Sequence, residues 1–436
     1  MSDTLGTFPH FRLNFEQQGK RAKELLKAAR DGEPDALARF EHSSTGERAS
    51  PRDTSATLKL ADAQRVIARE LRFDDWAALK RHIARMSTAR VAIQAGRILD
   101  ADARTLHVRC GSDIRDRLKE AGFQGDFYEH NYPYLIGPVR DGTGALEERA
   151  RFIADSHAGD FETALRFDAV LQSLQHAEEL LLASAGYDRV VVWSEFDCYD
   201  QLVLVRLLGH YATHARPGII ELVNSGDFPG ATRFIGLGQL PPEALRLLWT
   251  TRQLAGPAQL VLGNGAWRAL ASPDPRALAA IARGGTPALP LLAPALLRHL
   301  RELPSTANGL SFTQQLVLEL LAETPQSLNR LFGRMVYERD PLPGQGDLQL
   351  RDRVLAMDIP DAALFAREPG VDREGRARPP WTDVLTLTDL GRRVLAGDVD
   401  FQSLGPPPRW VGGVRIAPGE PDWRWDEASR EAVCRK

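Results

Sequence analysis

A chain of 436 residues is longer than one hydrophobic core supports, so two or more domains are expected. Its 43% hydrophobic and 26% charged residues exclude wholesale disorder, and a net charge of -3 excludes a global pull toward nucleic acid or anionic lipid. Three scattered cysteines, Cys110, Cys198 and Cys434, with no CxxC, suit a reducing compartment; with no apolar leader and no run of about eighteen apolar residues, a cytoplasmic chain is expected.

From Phe15 to about Met86 the pattern is helical. Ala22, Leu25, Leu26 and Ala29 recur at one-turn spacing, and Asp31-Gly32-Glu33-Pro34 breaks the helix before Ala36, Leu37 and Phe40. The polar stretch His42 to Thr57 leads to Leu60–Glu70 and then to Trp76 and Ile83, where Asp75 can cap the last helix. This module, residues 1–90, is expected to stand alone as a surface for a protein partner.

The period changes at Thr105. Thr105–Arg109, Asp126–His130, Arg189–Trp193 and Ile219–Val223 read as strands, with helices at Asp113–Ala121 and Asp200–His214. Gly144–Ile153 and Phe161–Ser184 read as helices inserted between the second and third strands, and Pro242–Thr250 opens a helical stretch after the fourth. Alternation of this kind predicts an α/β, Rossmann-like, mostly parallel sheet over 104–303.

The third segment, 304–436, has helices capped by Ser311 and Ser327, a third at Asp347–Met357, the strand Val384–Leu387 and a helix capped by Thr388. Three helices followed by strands suggest a winged-helix-like domain. Trp410, Trp423 and Trp425 cluster in the tail, a composition that fastens a terminus to a surface.

In an open parallel sheet, ligands bind beyond the carboxyl ends of the strands. There the chain places Gly111-Ser112-Asp113, Glu129-His130, Ser194 to Gln201 and Asn224-Ser225. Glu195, Asp197 and Asp200 crowd one turn, an arrangement that is costly unless the carboxylates face water or a cation. Glu195 and Asp197, with Asp113 as a third ligand, can take Mg²⁺ or Mn²⁺. Asp200 and Asp113 serve equally well as helix caps. His130 beside Glu129 is the candidate acid–base pair, with Asp200 a further catalytic candidate; imidazole titrates near neutrality, although a histidine in a Tyr- and Pro-rich loop is often a satisfied hydrogen-bonding group. Gly111, Ser112, Asn224, Ser225, Gln201 and Arg233 are candidate ligand contacts. Carboxylates around Cys198 argue against a thiolate nucleophile.

The segments LHVRCGSD, Gly137-Pro138, VVVWSEFDCYDQL, DFPGATRFIGLGQL, RWVGGV and WRWD, taken together, resemble a bacterial family catalogued as domain of unknown function eighteen thirty-five, over residues 105–426. Related sequences commonly read Gly-Asp-Ser where this chain has Gly111-Ser112-Asp113. The first ninety residues resemble the helical leader of bacterial ankyrin proteins, without the repeats. Neither resemblance implies a reaction. The residues themselves lead to an enzyme acting on a small phosphorylated or nucleotide-like ligand, a metal-assisted hydrolase or transferase. A ligand-sensing winged-helix regulator and a docking scaffold are the alternatives; the mixed charges around Arg351 and Arg353 argue against a nucleic-acid partner.

Overall fold

The computed structural model describes residues 10–43, 58–156, 165–231, 233–342, 344–371, 374, 376 and 379–435. Most of the polar stretch through Thr57, and the first four residues expected in the helix from Phe161, lie outside the described residues.

Four helices open the chain: α1 (Phe15–Arg30), α2 (Pro34–Ser43), α3 (Leu60–Glu70) and α4 (Trp76–Gln94). Ala22, Leu25 and Ala29 of α1 meet Ala36, Val66, Ile67 and Leu79 in one apolar core, as their spacing requires. Asp75 caps α4 by accepting the Ala78 N–H at 2.6 Å.

Then follow β1 (Thr105–Arg109), α5 (Arg115–Glu120), β2 (Asp126–Glu129), α6 (Ala145–Ser156), α7 (Phe167–Ala183), β3 (Arg189–Glu195), α8 (Cys198–Thr213), β4 (Ile219–Ser225), α9 (Pro242–Trp249) and β5 (Gln253–Leu254). The five strands are hydrogen-bonded in the order β2-β1-β3-β4-β5 in a mostly parallel sheet, which meets the α/β expectation. The order reverses between β1 and β3: the chain steps outward to β2, then returns past β1.

Contacts divide the chain into two units. The first comprises Met1–His107, Gly111–Phe127 and Glu221–Gln253; the second comprises Val108–Cys110, Tyr128–Ile220 and Leu254–Lys436.

Within the first unit the opening helices are not a freestanding module. Arg12 Nε donates to Glu243 Oε1 at 2.9 Å and Arg90 Nη2 to the same oxygen at 2.8 Å. Burial alone would raise the Glu243 pKa, but these hydrogen bonds outweigh it and hold the carboxyl below its usual range. The Phe228 ring packs against Phe11 at 5.9 Å and His82 at 5.3 Å. Gly230, at φ +125°, lets the chain pass the backbone of Phe11, where a Cβ would press to 3.4 Å.

The second unit continues through α10 (Pro257–Leu270), α11 (Arg276–Gly284) and α12 (Leu292–Leu300). Gly263 of α10 lies over Leu208 of α8 so closely that a Cβ would sit 2.3 Å from the leucine Cβ, so these helices can pack only with glycine there. Next come α13 (Phe312–Glu323), β6 (Gln326–Ser327), α14 (Leu328–Arg334), a π-turn at Met335–Arg339, α15 (Asp347–Leu355), β7 (Phe365–Glu368), β8 (Val384–Leu387) and α16 (Asp389–Ala396). The three strands pair antiparallel in the order β6-β8-β7, with Phe365 opposite Leu387, around a core that includes Val317, Leu331, Val354 and Phe401.

Two hairpins close the chain: β9 (Arg409–Val411) with β10 (Val414–Ile416), and β11 (Asp422–Asp426) with β12 (Glu431–Arg435). Within this unit the tail is fastened as its tryptophans predict. Trp423 and Trp425 are buried, Arg140 lies over Trp410, and Gly413 N–H donates to Leu270 O at 2.7 Å.

Candidate metal centre

All five residues of β1 are buried, and Thr105, His107 and Arg109 occupy alternate positions of the strand. Arg109 thus stands at the carboxyl end of β1 as a buried cation, 3% exposed. β3 is also buried throughout and ends at Glu195. The chain turns through Phe196, and Asp197 caps α8 by accepting the Asp200 N–H at 2.9 Å. That cap brings Asp200, in the first turn of the helix, back beside Glu195.

The carboxylates of Glu195, Asp197 and Asp200 each offer an oxygen within 4.8 Å of the others, and all three residues are buried. Arg109 is the guanidinium among them. It donates to Glu195 Oε1 at 3.1 Å, and its Nη1 bonds Asp200 Oδ1. Asp200 also accepts from the Glu195 N–H at 3.1 Å and from Cys110 Sγ at 3.1 Å. Gln201 Nε2 donates to Glu195 O at 2.6 Å, holding the end of β3. The Gly344 backbone covers the start of α8, where a Cβ would lie 2.9 Å from Tyr199 N and 3.0 Å from Asp197 Oδ1.

The electrostatic consequence falls on Asp197. Burial, then the charges of Asp200 and Glu195, push its carboxyl well above the ordinary range, against the weaker pull of the Asp200 N–H and Arg109. Either a proton or a cation must relieve this turn. Carboxylate oxygens so placed could hold a metal ion.

The structure brings together Glu195 and Asp197, as expected, but the third member of the group is Asp200 rather than Asp113. The reason is local: the helix begins at Cys198, so Asp197 is the cap and Asp200 folds back onto the turn. Asp113 belongs to the first unit, with Oδ2 only 2.8 Å from where a Gly238 Cβ would stand. It does not cap α5, whose N-cap is Ile114. Gly111, Ser112, Asn224, Ser225 and Arg233 also belong to the first unit; Ser225 Oγ donates to Asp227 O at 3.0 Å.

The expected Glu129–His130 acid–base pair gives way to a different contact. His130 is 0% exposed, and each ring nitrogen lies 2.9 Å from a tyrosine hydroxyl, Nδ1 from Tyr128 and Nε2 from Tyr134. Burial, with Arg206 and His210 nearby, lowers its pKa to about 3, so the ring is neutral at pH 7 and a weak base. The Glu129 carboxylate accepts instead from Asn131 Nδ2 at 3.2 Å. The thiolate of Cys198 is disfavoured, chiefly by burial rather than by the neighbouring carboxylates on which the expectation rested: its pKa is raised well above the usual thiol value, and its Sγ donates to Ala295 O.

Sequence reasoning missed Arg109. Its local signal is an arginine closing the strand Thr105–Arg109, on the same alternation as the polar Thr105 and His107. Comparison with protein-family models and with curated proteins finds no match to this chain.

Proposed function

We propose that the protein is a metal-assisted enzyme, a hydrolase or transferase, acting on a small phosphorylated or nucleotide-like ligand. The observation that carries this reading is the convergence of three buried carboxylates, each with an oxygen within 4.8 Å of the others, at the end of β3. Their position supports it as well, since strand order reverses between β1 and β3, and α/β folds bind ligands at such reversals. Glu195, Asp197 and Asp200 would hold Mg²⁺ or Mn²⁺, which when bound supplies positive charge to a phosphoryl group. Arg109 fixes two of the three carboxylates, and Gln201 fixes the backbone that carries the first. Tight positioning of this kind is what a hard cation requires of its ligands.

Calorimetric titration of the full chain with Mg²⁺ and with Mn²⁺ tests this reading. Binding is expected for the wild type and is expected to vanish in the Glu195→Ala plus Asp197→Ala variant. A wild type that takes up neither ion, or a variant that binds as well as the wild type, removes the metal role. Asp197→Asn keeps the helix cap, so its loss of binding cannot be put down to unfolding.

The regulator reading rests on the succession α13, β6, α14, α15, β7, β8, the order of a winged helix. Its recognition helix would be α15, yet Arg353 is buried with its Nε 3.9 Å from Glu302, and Arg351 pairs with Asp352 at 2.9 Å. Those engagements favour a packing role for this domain. A steep salt dependence of binding to random duplex DNA would restore the regulator.

A further inference from the structure

The second unit contains a cavity of about 530 Å³ walled by α6, α7, α8 and α10 and by the chain between β2 and α6. Its size falls in the range of small-molecule sites. The close approach of α8 to α10 forms one wall: Gly209 faces Trp267, whose Cβ would lie 3.2 Å from a Cβ at that position. Aromatic surface is supplied by Tyr132, Tyr134 and Trp267. Trp267 is oriented by its Nε1 donating to Asp141 Oδ1 at 2.7 Å, and it meets Tyr134 edge to face at 5.1 Å.

The charges in this wall do not cancel. Arg140, Arg149, Arg206 and Arg268 face Asp141 and Glu178 among the lining residues. Glu178 is taken by Arg206, whose guanidinium also lies over Trp267. Arg149 is buried, and its guanidinium is held by main-chain oxygens of Pro133, Ile136 and Pro138, with no ion pair to a carboxylate among the described residues. Its Nε has no hydrogen-bond partner in that set. Arg268 is exposed and forms neither a hydrogen bond nor an ion pair among the described residues. His210, 2% exposed, likewise has a buried Nε2 with no partner. A buried guanidinium with no carboxylate partner among the described residues and a buried imidazole nitrogen with no hydrogen-bond partner there are both costly, and both border the same aromatic cavity.

We propose that this cavity binds a planar aromatic anion, with its ring beside Tyr132 and its anionic group on Arg149, Arg268 and His210. Arginine and neutral imidazole donors suit phosphate or carboxylate oxygens, and the aromatic walls accept a flat ring. The site is distinct from the carboxylate turn: α8 rises about 15 Å between Asp200 and His210. It does not rest on a metal, and it goes beyond the proposed reaction.

The test is calorimetry on the full chain in EDTA, so that its failure leaves the metal reading untouched. The probes are adenosine monophosphate, 1-naphthoate, adenosine and inorganic phosphate. Binding of at least one aromatic anion, tighter than adenosine or phosphate alone, is expected; which of the two binds distinguishes a phosphate from a carboxylate ligand. Arg268→Ala should weaken that binding about tenfold or more with no change in Tm, because the side chain is exposed and makes no hydrogen bond or ion pair among the described residues. Thr213→Trp, at an exposed position on the cavity wall, should block it. Absence of binding by either aromatic anion at millimolar concentration, or wild-type affinity in both variants, would overturn the proposal.

Discussion

Two buried acidic clusters of the second unit use the same residue types and reach opposite electrostatic states. After β3, Glu195, Asp197 and Asp200 share Arg109, and Asp197 is pushed well above the carboxylate range. At the end of α12, Arg298 donates to Glu302 at 2.6 Å and to Asp340 at 2.8 Å, with Arg353 near the second Glu302 oxygen. Burial would raise Glu302 too, but Arg298 and Arg353, with the Thr313 hydroxyl, more than offset it and hold the carboxyl far below its usual value. Burial is common to both carboxyls, but the charges acting on Asp197 are mainly the carboxylates of Asp200 and Glu195, whereas those acting on Glu302 are the guanidiniums of Arg298 and Arg353, so the two shifts have opposite signs. The turn after β3 could hold a metal ion, whereas the cluster at α12 carries its own counter-charges.

The largest effect that sharpens this contrast should come from Arg298→Met, which removes the buried guanidinium bonded to both Glu302 and Asp340. A loss of about 3–5 kcal/mol in urea unfolding at pH 7 is expected. That deficit should shrink in acid, because a depressed pKa contributes stability above the ordinary glutamate value and loses it as pH falls. A pH-independent deficit would mean that packing, not charge, is at stake.

Asp197→Asn should act with the opposite sign. The raised pKa of Asp197 means that its contribution to stability is present below the ordinary aspartate value and is lost as pH rises through the folded one. Without divalent ions, the variant should therefore be more stable than the wild type at neutral pH, by about 1 kcal/mol, and level with it in acid. Saturating Mg²⁺ or Mn²⁺ should reverse the order by stabilising only the wild type. Equal pH profiles for the two proteins would break the comparison. The smallest change should follow Thr313→Val, which removes a hydroxyl shared between Glu302 and Arg298; about 1 kcal/mol is expected by thermal unfolding.

The helix caps were legible because they depend on a few consecutive residues: Asp75, Ser311, Ser327 and Thr388 each accept a backbone N–H at the first turn, as read. Glu195 and Asp197 were legible for the same reason, being two residues apart at the end of a buried strand. Choosing Asp200 over Asp113 required knowing that α8 starts at Cys198, a shift of two residues that reverses which aspartate caps and which faces the turn. The tyrosines that sequester His130 lie two and four residues away, yet their spacing does not reveal that the ring is closed off from water.

The sequence by itself determined the alternation of strands and helices, the stops between them and the concentration of acid after β3, since periodicity and capping act over a turn or two of chain. Only the tertiary structure decided that Arg109 meets Asp200 from ninety-one positions away, that the amino-terminal helices share a unit with Glu243, and that arginines from α6 and α10 border one cavity. Desolvation and charge pairing depend on which surfaces meet in space, and those meetings are set by the packing of the whole chain.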